Sequence, residues 1–259
     1  MTWSIGIDVG SVSAKGVIFN GEKWDYIVIP TGWMPRQAGK EVLDQLLRKA
    51  DIGLDNVGII VGTGYGRVNL DFTHKTFSEI VCHARGAHYL FPQTQGIIDI
   101  GGQDSKAIAI DSEGKVKDFI LNDKCAAGTG RFLQVMAQVL GYEVSELGER
   151  CGTTEPVEIG SMCAVFAESE IIGLLAQGVS QERIVAGVLL SIARRVGTMA
   201  AKLNLGPHVT FCGGVAQNQV LQHFLKEHTG WEMEAPEKPQ LVGALGAAII
   251  GYELCGGGK

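Results

Sequence analysis

The stretch IGIDVGSVSAK, residues 5–15, has a second version later in the chain, IIDIGGQDSK at residues 97–106. An aspartate, a glycine and a lysine coincide without a gap when the two are aligned at an offset of 91 residues, the difference between Asp8 and Asp99. A further apolar run follows each version, at residues 16–20 and 107–110. Two copies in register indicate an internal duplication, which must be interpreted before local detail.

Each copy predicts a hairpin, in which a strand ends in aspartate, a glycine-bearing turn follows, and a second strand returns. Glycines let backbone N–H groups approach an anion closely, and a row of such donors binds phosphate. Asp8 and Asp99, at the strand ends, can hold Mg²⁺ through water. The sequence therefore predicts a polyphosphate held by two hairpins, with Gly10, Gly101 and Gly102 in their turns.

The remaining periodicities predict two α/β halves, with lobe I at residues 1–92 and lobe II at residues 93–259. Further strands are predicted at residues 24–30, 57–62, 116–121 and 209–213. Helices are predicted between the first two of these strands, at residues 181–204 ahead of Pro207, and near the C-terminus around residues 242–252.

A third glycine cluster, FCGGVAQN at residues 211–218, also follows an apolar strand. Gly213 and Gly214 would allow an adenosine to lie against the backbone, and an ordinary strand-to-helix turn is the alternative. The segment GTGYGR, residues 62–67, raises the competing possibility of a dinucleotide-binding fold. It opens no clear helix and has no acidic residue at the required distance, which disfavours that fold.

The composition excludes several classes of function. The net charge of −6 and the absence of a lysine- and arginine-rich run argue against nucleic-acid binding. No apolar stretch reaches the roughly 18 residues of a membrane span, and the N-terminus lacks a signal-peptide pattern. We therefore expect a cytoplasmic protein whose six cysteines are reduced.

Three motifs narrow the interpretation: NDKCAAGTGRF at residues 122–132, SMCAVFAESE at residues 161–170, and GTGYGR at residues 62–67. With the hairpins, they make the whole chain resemble the activator component of 2-hydroxyacyl-CoA dehydratases. That family also includes the ATPase subunits of benzoyl-CoA reductase, within the acetate kinase, sugar kinase, Hsp70 and actin superfamily. The resemblance implies two duplicated actin-like (ribonuclease H-like) lobes with ATP in the cleft between them.

The resemblance further implies an ATPase that drives low-potential, one-electron transfer. It implies a homodimer with one oxygen-sensitive [4Fe–4S] cluster, held by Cys125 and Cys163 of each subunit. It implies an iron–sulfur dehydratase or reductase as electron acceptor and a ferredoxin or flavodoxin as donor. The residues expected to contact ATP or ADP are Gly10, Ser11, Val12, Ser13, Ala14, Lys15, Gly101, Gly102, Gln103, Gly213, Gly214 and Gln240. Asp8 and Asp99 would hold Mg²⁺ through water, and the expected catalytic residues are Asp8, Asp99, Gln103 and Asp104.

The cysteine pattern supports the cluster independently. A [4Fe–4S] cluster needs four thiolates, and the chain contains no C-x-x-C motif. Two cysteines doubled by a two-fold axis supply four. Cys125 and Cys163 both precede helical patterns, whose N-termini stabilise thiolates. The alternative is that each is an ordinary buried thiol, and Cys82, Cys212, Cys151 and Cys255 are assigned no role.

Two other functions fit the same fold. A small-molecule kinase resembling type III pantothenate kinases would need a base, for which Asp104 is available. A nucleotide-sensing module without turnover would dispense with the Mg²⁺-holding carboxylates, yet Asp8 and Asp99 are both present.

Overall fold

A computed structural model describes residues 2–151, 154–161 and 163–257. The chain forms two compact units. The first contains the chain up to Thr94, the segment Ile110–Lys117 and the chain from Gln240 onward. The second contains Gln95–Ala109 and Asp118–Pro239.

The first unit is built on a five-stranded sheet with strand order β3-β2-β1-β4-β5. Its strands are β1 (Trp3–Val9), β2 (Ser13–Phe19), β3 (Trp24–Pro30), β4 (Val57–Thr63) and β5 (Lys75–Thr76). Its helices are α1 (Pro35–Ala50), α2 (Glu79–Leu90) and, from the end of the chain, α8 (Val242–Leu254).

The second unit repeats this plan with strand order β10-β9-β6-β7-β8. Its strands are β6 (Gly96–Ile100), β7 (Ser105–Ile110), β8 (Val116–Asn122), β9 (His208–Cys212) and β10 (Glu232–Glu234). Its helices are α3 (Gly130–Leu140), α4 (Leu147–Cys151), α5 (Ala164–Ala176), α6 (Gln181–Ala200) and α7 (Gln219–Thr229).

The strand pairing confirms the predicted duplication. In each unit the first strand is antiparallel to the second and parallel to the fourth. Asp8 lies opposite Lys15 across the first hairpin, and Asp99 lies opposite Lys106 across the second. The two aligned stretches of sequence therefore form the same structure, a hairpin at the centre of a mixed sheet.

Helix α1 shows how an amphipathic pattern becomes one layer of the first unit. Pro35 lies in its first turn, where a missing N–H costs nothing, and Val42 and Leu46 are fully buried against β1 and β2. Asp51 ends the helix in a left-handed conformation with φ 52°. This helix confirms the one predicted between the strands at residues 24–30 and 57–62.

A division into residues 1–92 and 93–259 does not describe two segments, because Ile110–Lys117 and the chain from Gln240 onward both belong to the first compact unit. Helix α8 packs on β1, β4 and α2 of the first unit. A Cβ atom on Gly6 would lie 2.1 Å from the carbonyl oxygen of Ala244, and one on Gly246 would lie 1.8 Å from that of Cys82. Such close backbone approach needs glycine, and it joins α8 to β1 and α2, which are distant in the sequence.

Two further differences are local. Helix α6 ends at Ala200 instead of residue 204, because Lys202 and Leu203 donate to carbonyls three residues back and tighten the chain into turns. Helices α4 and α7 were not predicted. In the part of the chain that the structure describes, no helix combines the length and the apolar character needed to cross a bilayer.

Candidate functional site

The hairpin turn of the first unit carries a largely buried ion pair. Asp8 is buried, and the Lys15 ammonium lies 3.3 Å from its Oδ2. The N–H of Gly10 donates to the carbonyl oxygen of Ser13 across 3.1 Å and closes the turn. Ser11 and Ser13 are partly exposed and Val12 is exposed. The turn can therefore present backbone and hydroxyl donors to an anion.

Thr31 holds this turn from the neighbouring loop. Its hydroxyl donates to the carbonyl oxygen of Gly10 across 2.7 Å, and its N–H donates to that of Val12 across 3.0 Å. Thr31 directly follows β3 and lies in the loop that leads to α1. The first turn is thus fixed to elements of its own unit.

The hairpin turn of the second unit carries the same ion pair with one added carboxylate. The Lys106 ammonium lies 3.0 Å from Asp99 Oδ2 and 2.7 Å from Asp104 Oδ2. The N–H of Gly101 donates to the carbonyl oxygen of Asp104 across 2.9 Å. Gln103, at the tip of the turn, is exposed.

A different element holds this second turn. The N–H groups of Gly130 and Arg131, at the start of α3, donate to the carbonyl oxygens of Gly101 and Gly102 across 2.8 and 2.7 Å. Free N–H groups at a helix N-terminus need acceptors, and here the turn supplies them. The second turn is therefore bonded directly to the helix that follows Cys125.

The two remaining glycine clusters are counterparts of each other. Gly64 follows β4 with φ 86° and ψ 175°, and Gly213 follows β9 with φ 88° and ψ 172°. A Cβ on Gly64 would lie 2.3 Å from Asp8 Oδ1, and one on Gly213 would lie 2.5 Å from Asp99 Oδ1. GTGYGR is therefore the first unit's version of the turn at Gly213, a role that the sequence did not reveal.

Gly214 and Gln240, which are predicted to contact the nucleoside together with Gly213, belong to different compact units. Gly214 begins a short 3₁₀ helix, Gly214–Gln217, as Tyr65–Asn69 does after Gly64. Gln240 belongs to the first unit, in the 3₁₀ turn Pro239–Leu241 directly before α8.

The cysteines divide by burial. Burial raises the pKa of the Cys82 thiol to about 12, and burial, with the adjacent Asp99, raises the pKa of Cys212 well above its ordinary value. Burial also raises the pKa of Cys151. Burial therefore disfavours the thiolate form of these three side chains. Cys125 is half-buried and Cys163 is exposed, and both belong to the second unit.

The loops that carry these two cysteines are held by side chains from the predicted motifs. Asn122 Nδ2 donates to the carbonyl oxygens of Cys125 and Ala127 across 3.0 and 3.1 Å. Cys163 is the N-cap residue of α5, and Glu170 from that helix accepts the N–H groups before it, at residues 160 and 161. Partial burial alone would raise the pKa of Glu170. These hydrogen bonds outweigh that effect, and the pKa of Glu170 lies below its ordinary value. The arrangement fits two thiolate donors held near the surface.

Helix α5 also exposes apolar side chains next to Cys163. Val165 is 68% exposed, Phe166 is 69% exposed and Ile172 is 54% exposed. Large apolar groups clustered on a surface are typical of an interaction site.

Residues 5–251 match the model of the BadF/BadG/BcrA/BcrD ATPase family. The chain belongs to this family. It is accordingly an ATPase, and its two mixed sheets with their helices have an actin-like fold.

Solved structures of similar proteins support the assignment to this family. The (R)-2-hydroxyglutaryl-CoA dehydratase component A of Acidaminococcus fermentans has a TM-score of 0.95 at 38% identity, covering 99% of this chain and all of that one. The 2-hydroxyisocaproyl-CoA dehydratase activator of Clostridium difficile, solved with bound ADPNP, has a TM-score of 0.93 at 40% identity, covering 98% of this chain and 96% of that one. A ROK hexokinase from Thermus thermophilus, at 17% identity and a TM-score of 0.54, covers 99% of this chain and all of that one and shares the fold alone.

Sequence reasoning missed the residues that hold the turns. Thr31 gave no motif, and Gly130 lay within a quoted motif without an assigned role. The signal available for Gly64 was its position after an apolar strand, which is also the position of Gly213. Arg195, whose guanidinium lies 3.5 Å from Cys125 Sγ, lies in the periodic stretch of α6 and gave no separate signal.

Proposed function

We propose that this protein is an ATP-dependent electron-transfer activator, a cytoplasmic, oxygen-sensitive iron–sulfur homodimer. It couples ATP hydrolysis to the low-potential, one-electron reduction of a 2-hydroxyacyl-CoA dehydratase or a related reductase. The observation that carries this proposal is the high similarity, over nearly the full length, to a dehydratase activator and to a dehydratase component A.

The nucleotide is bound, in this proposal, through the two glycine-bearing turns. Asp8 and Asp99 hold Mg²⁺ through water, and the backbone N–H groups of the turns contact the phosphates. Lys15 and Lys106 are held beside these carboxylates by ion pairs, so a positive charge is already oriented at each turn. The nucleoside is contacted by Gly213, Gly214 and Gln240.

The iron–sulfur site uses Cys125 and Cys163 of two subunits. A [4Fe–4S] cluster held there would supply storage of a single electron at low potential. Within the chain, Asn122 and Glu170 fix the two loops. Cys163 lies at the start of α5, and Cys125 lies five residues before the start of α3. The exposed apolar side chains of α5 support subunit contact beside Cys163.

Coupling between the two functions runs through α3. The turn that follows Asp99 accepts hydrogen bonds from Gly130 and Arg131, five and six residues after Cys125. A change in that turn on contact with the γ-phosphate would move the beginning of α3 and the loop before it. A ligand can shift such an equilibrium only by its differential affinity for the two states, and the γ-phosphate supplies a few kcal/mol.

The partners follow from the same proposal. The electron acceptor is an iron–sulfur dehydratase or reductase, and the donor is a ferredoxin or flavodoxin. The competing function, a small-molecule kinase, would use Asp104 as base. Asp104 is paired with Lys106 at 2.7 Å, so its carboxylate is already engaged within the turn.

Anaerobic purification tests the cluster assignment. We expect about four irons per dimer in the wild type and loss of iron, brown colour and dimer together in Cys125→Ser and Cys163→Ser. The matched control is Cys255→Ser, which changes another exposed cysteine and is expected to retain its iron.

Two outcomes would contradict the proposal. Iron at wild-type level in Cys163→Ser would overturn the ligand assignment. A colourless wild-type protein that phosphorylates a small hydroxyl substrate would favour the kinase instead.

A further inference from the structure

The guanidinium of Arg195, on α6, donates from Nη2 to Cys125 Sγ across 3.5 Å. Arg195 is half-buried, and within the described residues it makes no ion pair with a carboxylate. Its positive charge is therefore not neutralised by a neighbouring side chain, and it is directed at the sulfur of a proposed cluster ligand.

The loop that carries Cys125 is shaped around this side chain. Gly128 has φ 86°, a conformation that favours glycine, and a Cβ placed on it would lie 3.4 Å from Arg195 Cδ. Asn122 holds the same loop from the side of β8. Asn122 thus holds the loop of Cys125 by hydrogen bonds, and Arg195 approaches the same loop from α6.

Arg195 lies among charged side chains of both signs, of which Asp123 and Glu158 are acidic. It lines a cavity of about 770 Å³ in the second unit, together with Lys124, Arg194 and Lys202. These three side chains are exposed, so solvent screens their charges more than it screens that of Arg195. Arg195 differs from these three residues because it donates a hydrogen bond to Cys125 Sγ.

We infer that Arg195 is a positioning residue that raises the reduction potential of the proposed cluster, an inference that rests on the proposed function. Gain of one electron makes the cluster more negative, and a hydrogen bond and a positive charge at a ligand sulfur stabilise that reduced form more than the oxidised one. The two-fold axis of the proposed dimer supplies two such arginines for each cluster.

The test is a redox titration of the anaerobic dimer, followed by electron paramagnetic resonance, in three variants. Arg195→Met removes the charge and the donor but keeps an unbranched stem. We expect the ratio of reduced to oxidised cluster at a fixed potential to fall about tenfold, a shift of 59 mV toward lower potential for one electron. Arg195→Lys keeps the charge and loses the planar donor, so its shift should be smaller. Arg194→Met, the matched control one residue earlier, should titrate as the wild type.

Iron content is measured on the same samples, because a purely structural role would change iron retention without changing the potential of the clusters that remain. A wild-type potential in both Arg195 variants would overturn the inference while leaving the proposed function intact. If Arg195→Met retains no iron, a wild-type potential in Arg195→Lys overturns it. A wild-type protein without iron would overturn the proposed function and this inference together.

Discussion

The turns after Asp8 and after Asp99 have the same aspartate–lysine pair and the same closing hydrogen bond from a glycine N–H. They differ in what holds them from outside. A threonine side chain from the β3–α1 loop binds the first turn, whereas the backbone N–H groups at the start of α3 bind the second.

Because of this difference, the two duplicated turns are expected to have different roles. The shared groups are those expected to contact Mg²⁺ and phosphate, so both copies must retain them. The helix bonded to the second turn begins five residues after Cys125, and the first unit has no such helix among its described residues. We therefore expect nucleotide chemistry to depend on both turns and cysteine chemistry to depend on the second.

The shared backbone is tested most severely at Gly64 and Gly213. Alanine at either position must adopt a φ near 87° and a ψ near 173°, in a region used almost only by glycine. Its Cβ would also lie within 2.6 Å of a backbone carbonyl oxygen. We expect Gly64→Ala and Gly213→Ala each to lower the free energy of unfolding by about 3 kcal/mol or more, as measured by urea denaturation.

Two other left-handed glycines serve as controls, one in each unit. Gly32 has φ 60° and Gly230 has φ 73°, and neither would bring a Cβ within 4 Å of another group. Their alanine variants should lose only about 1 kcal/mol. Equal losses at Gly64 and Gly32 would mean that the close approach to Asp8 does not constrain the turn.

The paired aspartates give the next largest effect. Asp8→Asn and Asp99→Asn should each reduce steady-state ATP turnover by about 2 kcal/mol of transition-state stabilisation or more, roughly 30-fold. Asp44→Asn, an exposed position on α1, is the control. Near-normal ATP turnover in both Asp8→Asn and Asp99→Asn would contradict the assignment of Mg²⁺ to these carboxylates.

The same pair of variants also compares the two ion pairs. Among the described residues Lys15 pairs with Asp8 alone, whereas Lys106 also pairs with Asp104. Asp8→Asn therefore leaves a mostly buried ammonium without a carboxylate, and Asp99→Asn does not. Asp8→Asn should unfold at the lower temperature.

The sequence predicted the part of the site that is repeated, because an aspartate, a glycine and a lysine at one offset record the duplication directly. It did not predict that GTGYGR matches the Gly213 turn, since the residues before the two glycines, Thr63 and Cys212, share no chemistry. Nor did it predict that α8 packs in the first unit. That placement depends on the close approach of α8 to β1 at Gly6 and to α2 at Gly246, which no local pattern encodes.

The asymmetry between the turns gives the last and smallest effect, in the rate of iron loss to a chelator. If contact of the γ-phosphate with the second turn moves α3, the anaerobic wild-type dimer should lose iron about fivefold faster with a non-hydrolysable ATP analogue than with ADP or without nucleotide, a coupling of about 1 kcal/mol. Gly130→Ala should reduce this ratio, because its Cβ would lie 3.0 Å from the carbonyl oxygen of Gly101 and disturb the bond between turn and helix. Thr31→Val removes the hydroxyl that holds the first turn, so it should weaken ATP turnover and leave the ratio unchanged. Equal rates of iron loss in all three nucleotide states would exclude the coupling, and an equal loss of the ratio in both variants would show that the two turns act as one.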